Sequence, residues 1–229
     1  MSENRKQQLQ VDALGVLSGI PAEKLADHLH QRWLSDECFY RLPAMILAHL
    51  YRVDESDGTL MSCCLMHLLS DFRARDSIRK TSPLMFRNSV KVLAEMFSVY
   101  RNFDAVVSEC LNVPLFVSLQ MLADKTASEK DIQVLAEILS SHGILLSTVK
   151  PKLCDDLVIQ VRNHLCDSNF TSTTRRLLLK INDLWTYNWE LDSAPECILS
   201  FYGKTSKEPE EVEPKPQKRF QYMEQESVV

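Results

Sequence analysis

Residues 153–189 read LCDDLVIQVRNHLCDSNFTSTTRRLLLKINDLWTYNW, and this stretch decides the fold. Leu153, Leu157, Val161 and Leu165 recur at four-residue steps and lay one apolar stripe along a first helix. Leu177, Ile181 and Leu184, with Leu178 and Trp185 beside them, stripe a second. A short polar turn joins the two. Neither helix can bury its stripe alone, so the pair packs together and against neighbours, as the unit of an α-solenoid does. Such units build extended binding surfaces more often than reaction pockets.

Upstream, proline punctuates the chain at Pro21, Pro43, Pro83, Pro114, Pro151 and Pro195. Several of these fit the first turn of a helix, where the missing N–H costs nothing. Helices are predicted over residues 8–17, 22–33, 41–52, 59–72, 83–101, 108–123 and 128–141, ahead of the closing pair. Phe86, Val90, Leu93, Phe97 and Tyr100 give residues 83–101 an unbroken stripe. Leu42, Met45, Ile46, His49 and Leu50 stripe residues 41–52. Ser128, with Asp131 three residues on, reads as a helix start whose end falls at Gly143. Residues 73–80 read as a charged loop. Period-two alternation is nowhere sustained, so strands are not required. The expectation is an all-α, HEAT/armadillo-like α-solenoid of about five helical hairpins over residues 1–204. Residues 205–229 carry prolines and many charges, cannot bury a core, and are expected to form a disordered tail.

Bulk properties agree. Only 5 of 229 residues are glycine, which removes most tight β-turns. No run approaches the roughly 18 apolar residues of a membrane span, and MSENRKQQLQ lacks a signal-peptide core. A cytoplasmic chain, possible also in the nucleus, is expected. Its 7 cysteines show no CxxC spacing and fit reduced, mostly buried thiols.

The densest basic cluster is Arg73, Arg75, Arg79 and Lys80, with Arg87 and Lys91 beyond. Arginine pairs well with RNA phosphates and with acidic protein faces. The bland alternative is a solvated loop. Asp71, Asp76 and Glu95 lower the local field, and no aromatic residues interleave for base stacking. Arg175 and Arg176 form a second candidate contact, against a plain exposed pair. Trp33, Trp185 and Trp189 read as core. His28 and His30, with Asp27, could suggest a metal, but the spacing of two points the histidines to different helix faces and makes a poor metal set. His49 and His67 read as core histidines. Cys63-Cys64 lacks the orienting groups of a catalytic pair. Ser227-Val228-Val229 fits a carboxylate ligand for strand addition. No catalytic residue, cofactor or metal is assigned.

Several segments carry a family likeness. They are Val161-Arg162-Asn163-His164-Leu165-Cys166-Asp167, Arg176-Leu177-Leu178-Leu179-Lys180-Ile181 and Asn188-Trp189, with Leu68-Leu69-Ser70-Asp71-Phe72-Arg73-Ala74-Arg75-Asp76 leading to Phe97-Ser98-Val99-Tyr100. This pattern resembles the middle domain of the eukaryotic initiation factor 4G family, in small stand-alone members such as the polyadenylate-binding-protein-interacting protein. The resemblance implies a right-handed stack of five helix hairpins that scaffolds mRNA translation without catalysis. It implies docking of the DEAD-box helicase initiation factor 4A, or of cap-, poly(A)- or stem-loop-binding proteins. The chain departs from its relatives in lacking a leucine–asparagine motif for poly(A)-binding protein. Ser227 stands where a cap-binding-protein ligand would place leucine. Two other readings stay open: a direct RNA-binding module on the 73–91 cluster, and a helical adaptor unrelated to translation.

Overall fold

A computed structural model describes residues 19–53, 58–166 and 170–203. The predicted helix over residues 8–17, Asp167, Asn169 and the 205–229 tail lie outside these. The described residues form ten α-helices and no strand. They are α1 (Ala22–Ser35), α2 (Arg41–Val53), α3 (Thr59–Arg73), α4 (Arg75–Thr81), α5 (Pro83–Phe103), α6 (Ala105–Leu122), α7 (Glu129–Val149), α8 (Pro151–His164), α9 (Ser172–Thr186) and α10 (Glu196–Gly203). The chain divides into two compact units, one ending at Ser193 and the other beginning at Ala194.

In the first unit, longer helices alternate between two layers. α1, α3, α6 and α8 contact one another in that order, and so do α2, α5, α7 and α9. α5 is the hub, touching α1, α2, α4, α6 and α7. Its start follows from Ser82 and Pro83. The Ser82 hydroxyl accepts the Met85 N–H, and proline occupies the first turn. Its stripe is wholly internal: Phe86, Val90, Leu93, Phe97 and Tyr100 are all buried. Each such side chain contributes about 1.5–3 kcal/mol by leaving water. The second unit holds α10, where Phe201 and Tyr202 meet edge to face at 5.0 Å.

α1 and α3 are tied by polar groups. Trp33 Nε1 donates to Asp71 Oδ2 at 3.2 Å, and His30 Nε2 meets Asp71 Oδ1 at 2.9 Å. His67 Nε2 meets Asp27 Oδ1 at 3.0 Å, and the His30 and His67 rings stack at 4.2 Å. Asp27 and His30 therefore turn to different partners, and among the described residues no group of three metal-binding side chains converges.

Five expectations need correction. Residues 75–81 are helical, not loop: α4 is a short helix of about two turns that rests on α5 through Ile78. α6 begins at Ala105, because the Asp104 carboxylate accepts the N–H groups of Val106 and Val107. α7 does not end at Gly143 but runs through it to Val149. Leu42 and Met45 face solvent, while Ala44, Ile46 and Leu47 are buried, so the stripe of α2 is rotated from the expected one. Contrary to the expectation that no stretch is apolar enough, two helices, α6 and α7, are by length and composition apolar enough to cross a membrane. About half of each is buried against its neighbours, as in a core helix.

Gly143 explains its own position. A Cβ there would lie 2.1 Å from the Trp189 ring, so glycine opens the seat into which Trp189 packs. The chain reaches that seat by leaving α9 through two left-handed residues, Asn188 (φ 54°) and Trp189 (φ 68°). Asn tolerates this region and tryptophan rarely does. The turn closes with Trp189 N–H on the Leu184 carbonyl and Asn188 N–H on that of Trp185.

Candidate docking surface

The capping box read from Ser128 and Asp131 is present. Ser128 Oγ accepts the Asp131 N–H, and Asp131 Oδ2 accepts the Ser128 N–H at 2.8 Å. Asp131 Oδ1 also receives Arg87 Nη1 at 3.2 Å, which fixes the start of α5 beside that of α7. Glu129 Oε1 accepts the Thr171 N–H at 2.8 Å, bringing the start of α9 to the same edge. That hydrogen bond holds the Glu129 carboxyl below the usual carboxylate range. One edge of the first unit thus collects α4, the starts of α5, α7 and α9, and the 123–128 turn.

The predicted basic residues divide along this edge. Arg87 and Lys91 are buried, not solvent-facing. Lys91 Nζ sits 3.0 Å from Glu137 and 4.1 Å over the Tyr40 ring. Tyr40 donates its hydroxyl to Glu137 at 2.7 Å; burial and that carboxylate push it up to about 12. One turn further on, Glu95 lies 3.5 Å from both His142 and Arg41. Burial works to raise the Glu95 carboxyl, but the hydrogen bond and charge of His142, helped by Arg41, outweigh it and hold it low. Positions 87, 91 and 95 form one face of α5, and their charges are engaged by α7 and the 40–41 segment.

Arg79 grips Asp124 with both terminal nitrogens, one at 3.1 Å. Burial alone would raise the Asp124 carboxyl, yet this grip and the bonds from Thr126 hold it low. Arg75 stacks over the Phe72 ring at 4.4 Å, donates to the Phe72 carbonyl and lies 3.7 Å from Asp76. Arg73 and Lys80 are exposed, with no acidic group within 4 Å among the described residues. Arg175 and Arg176 are half-buried near the start of α9.

The sequence reading missed two further exposed cations of this edge, Lys125 and Lys130. They flank the capping box, and their signal was absorbed into the helix start. Asp76, Arg79, Lys80, Pro83, Met121, Thr126, Ser128 and Asp131 line a cleft of about 370 Å³ here. The tryptophans also divide: Trp33 and Trp189 are buried, whereas Trp185 is half-exposed. Trp185 donates to Asp155 at 2.9 Å and lies under Arg162 at 5.7 Å. The thiols are not mostly buried as expected: Cys63, Cys64 and Cys154 lie inside, whereas Cys38, Cys110, Cys166 and Cys197 stand at helix ends or on outward faces and are exposed. Burial pushes the Cys64 and Cys154 thiols up to about 12, which makes both poor nucleophiles.

No protein-family model and no curated protein matches the chain.

Proposed function

We propose that this chain is a docking scaffold of mRNA translation, built as a HEAT-type stack in the manner of the initiation factor 4G middle domain. Its hairpins are α3/α5, α6/α7 and α8/α9, with α4 inserted in the first, while α1 and α2 each pack on α5. The observation that carries the reading is the layer alternation: each layer runs through every second long helix, so each hairpin touches the next. The translation assignment rests on the likeness of residues 68–100 and 161–189 to that family. Its partners are then helicase initiation factor 4A, or cap-, poly(A)- or stem-loop-binding proteins.

Protein docking is favoured over direct RNA binding because Arg87 and Lys91 are buried in ion pairs and so withdrawn from phosphates, and no aromatic side chain lines the cleft beside α4 for base stacking. RNA binding through several phosphates also falls steeply with salt. The test is capture from cell extract on the tagged full chain, followed by mass spectrometry. Enrichment of initiation factor 4A or mRNA-binding translation factors at physiological salt is expected. Capture that contains no translation factor removes the assignment.

A further inference from the structure

We infer that the cleft beside α4 takes an acidic peptide segment bearing aliphatic side chains, an inference that rests on the docking reading above. Residues 73–87 and 124–131 carry seven Lys and Arg against four Asp and Glu, on a chain whose net charge is −5. The four carboxylates are all engaged. Asp76 lies against Arg75, Asp124 is gripped by Arg79, Asp131 by Arg87 and the Ser128 cap, and Glu129 holds the Thr171 N–H. Arg73, Lys80, Lys125 and Lys130 remain exposed, with no acidic group within 4 Å among the described residues. The local field therefore favours an anion, opposite in sign to the molecule as a whole.

The lining decides which anion. Pro83 and Met121 give the cleft an apolar wall, and Thr126 and Ser128 give it hydroxyls. No lining side chain is aromatic, so bases would find nothing to stack on. A volume of about 370 Å³ holds side chains rather than a folded domain. Carboxylates of the ligand meet Lys80 at the mouth and Lys125 on the adjoining turn, while an aliphatic group enters against Met121.

The test is fluorescence anisotropy on the full chain with a labelled (Glu-Glu-Leu)4 peptide. Its comparison probes are (Glu-Glu-Ser)4 and an oligo(U) RNA of equal length. Binding to the leucine peptide is expected to exceed that to the serine peptide several-fold and to exceed RNA binding. The double variant Lys80→Glu/Lys125→Glu is expected to lose about tenfold or more in affinity, since two favourable pairs become repulsive. Neither lysine has an ion-pair partner among the described residues, so the fold is expected to be kept, which circular dichroism of the variant checks. Lys152→Glu, one length of α7 away or about 30 Å, is the control and is expected to change affinity little. Equal binding of leucine and serine peptides, tighter binding of RNA, or indifference to the double variant overturns the proposal. Capture of translation factors by that same double variant at the parent level overturns it too, while leaving the scaffold reading intact.

Discussion

One basic cluster has two fates. Arg87 and Lys91 are buried against carboxylates of α7, whereas Arg73 and Lys80, a few residues earlier, are exposed with no acidic partner among the described residues. Composition treats the four alike. The difference comes from helical phase: positions 87, 91 and 95 share the face of α5 that meets α7, while 73 and 80 lie at the outer ends of α3 and α4. A run of like charge in a helical stack is therefore read one position at a time, by the face on which each charge falls.

The sharpest way to break this contrast is Arg87→Ala. It leaves Asp131 buried without its cation, and a loss of about 3–5 kcal/mol in urea unfolding is expected. A loss below about 1 kcal/mol would place Arg87 with the exposed half of the cluster.

Farther along α7 the contact depends on shape instead of charge, because Gly143 receives the Trp189 ring. Alanine normally improves a helix interior by about 1 kcal/mol over glycine. Gly143→Ala is expected to cost about 1–3 kcal/mol here, from overpacking. In a Trp189→Ala background the same substitution becomes neutral or stabilising. Equal effects in the two backgrounds would show that the ring does not occupy the seat.

Next in size is the half-buried pair of Arg79 and Asp124. The folded Asp124 carboxyl lies below its ordinary value. Its contribution is thus full above the unfolded value near ~4 and fades as pH falls through the lower folded one. Asp124→Asn is expected to lower the melting temperature at neutral pH and to converge on the parent in strong acid. Parallel melting curves across that range would show that the pair adds nothing. Smallest is Arg73→Glu/Lys80→Glu, expected to shift stability by no more than about 0.5 kcal/mol. A larger loss would mean that these two side chains are structural after all.

The layered helices were legible where a stripe coincided with a local stop or start. The five apolar residues of α5, Pro83 and Pro151 in first turns, and the Ser128–Asp131 box all behave as read. α4 escaped because its seven residues hold a single large apolar side chain, Ile78, too few to show a period. The continuation of α7 escaped because glycine ordinarily ends a helix. Its reason to persist lies 46 positions away, at Trp189. The candidate surface was half legible for the same cause. The cations were visible, but Asp131 stands 44 residues from Arg87 and Asp124 stands 45 from Arg79. No local pattern reveals which charges will cancel.

The seat at Gly143 also carries an evolutionary consequence. Two successive left-handed residues bring a wide ring to the one place on α7 where a side chain at position 143 would collide with it. Positions 143 and 189 are therefore not free to drift separately. A descendant that gains a side chain at the first must shrink the second, and the terminator at Asn188 is then released to return to ordinary backbone. Lineages of this chain should divide into those with glycine facing tryptophan and those that changed both.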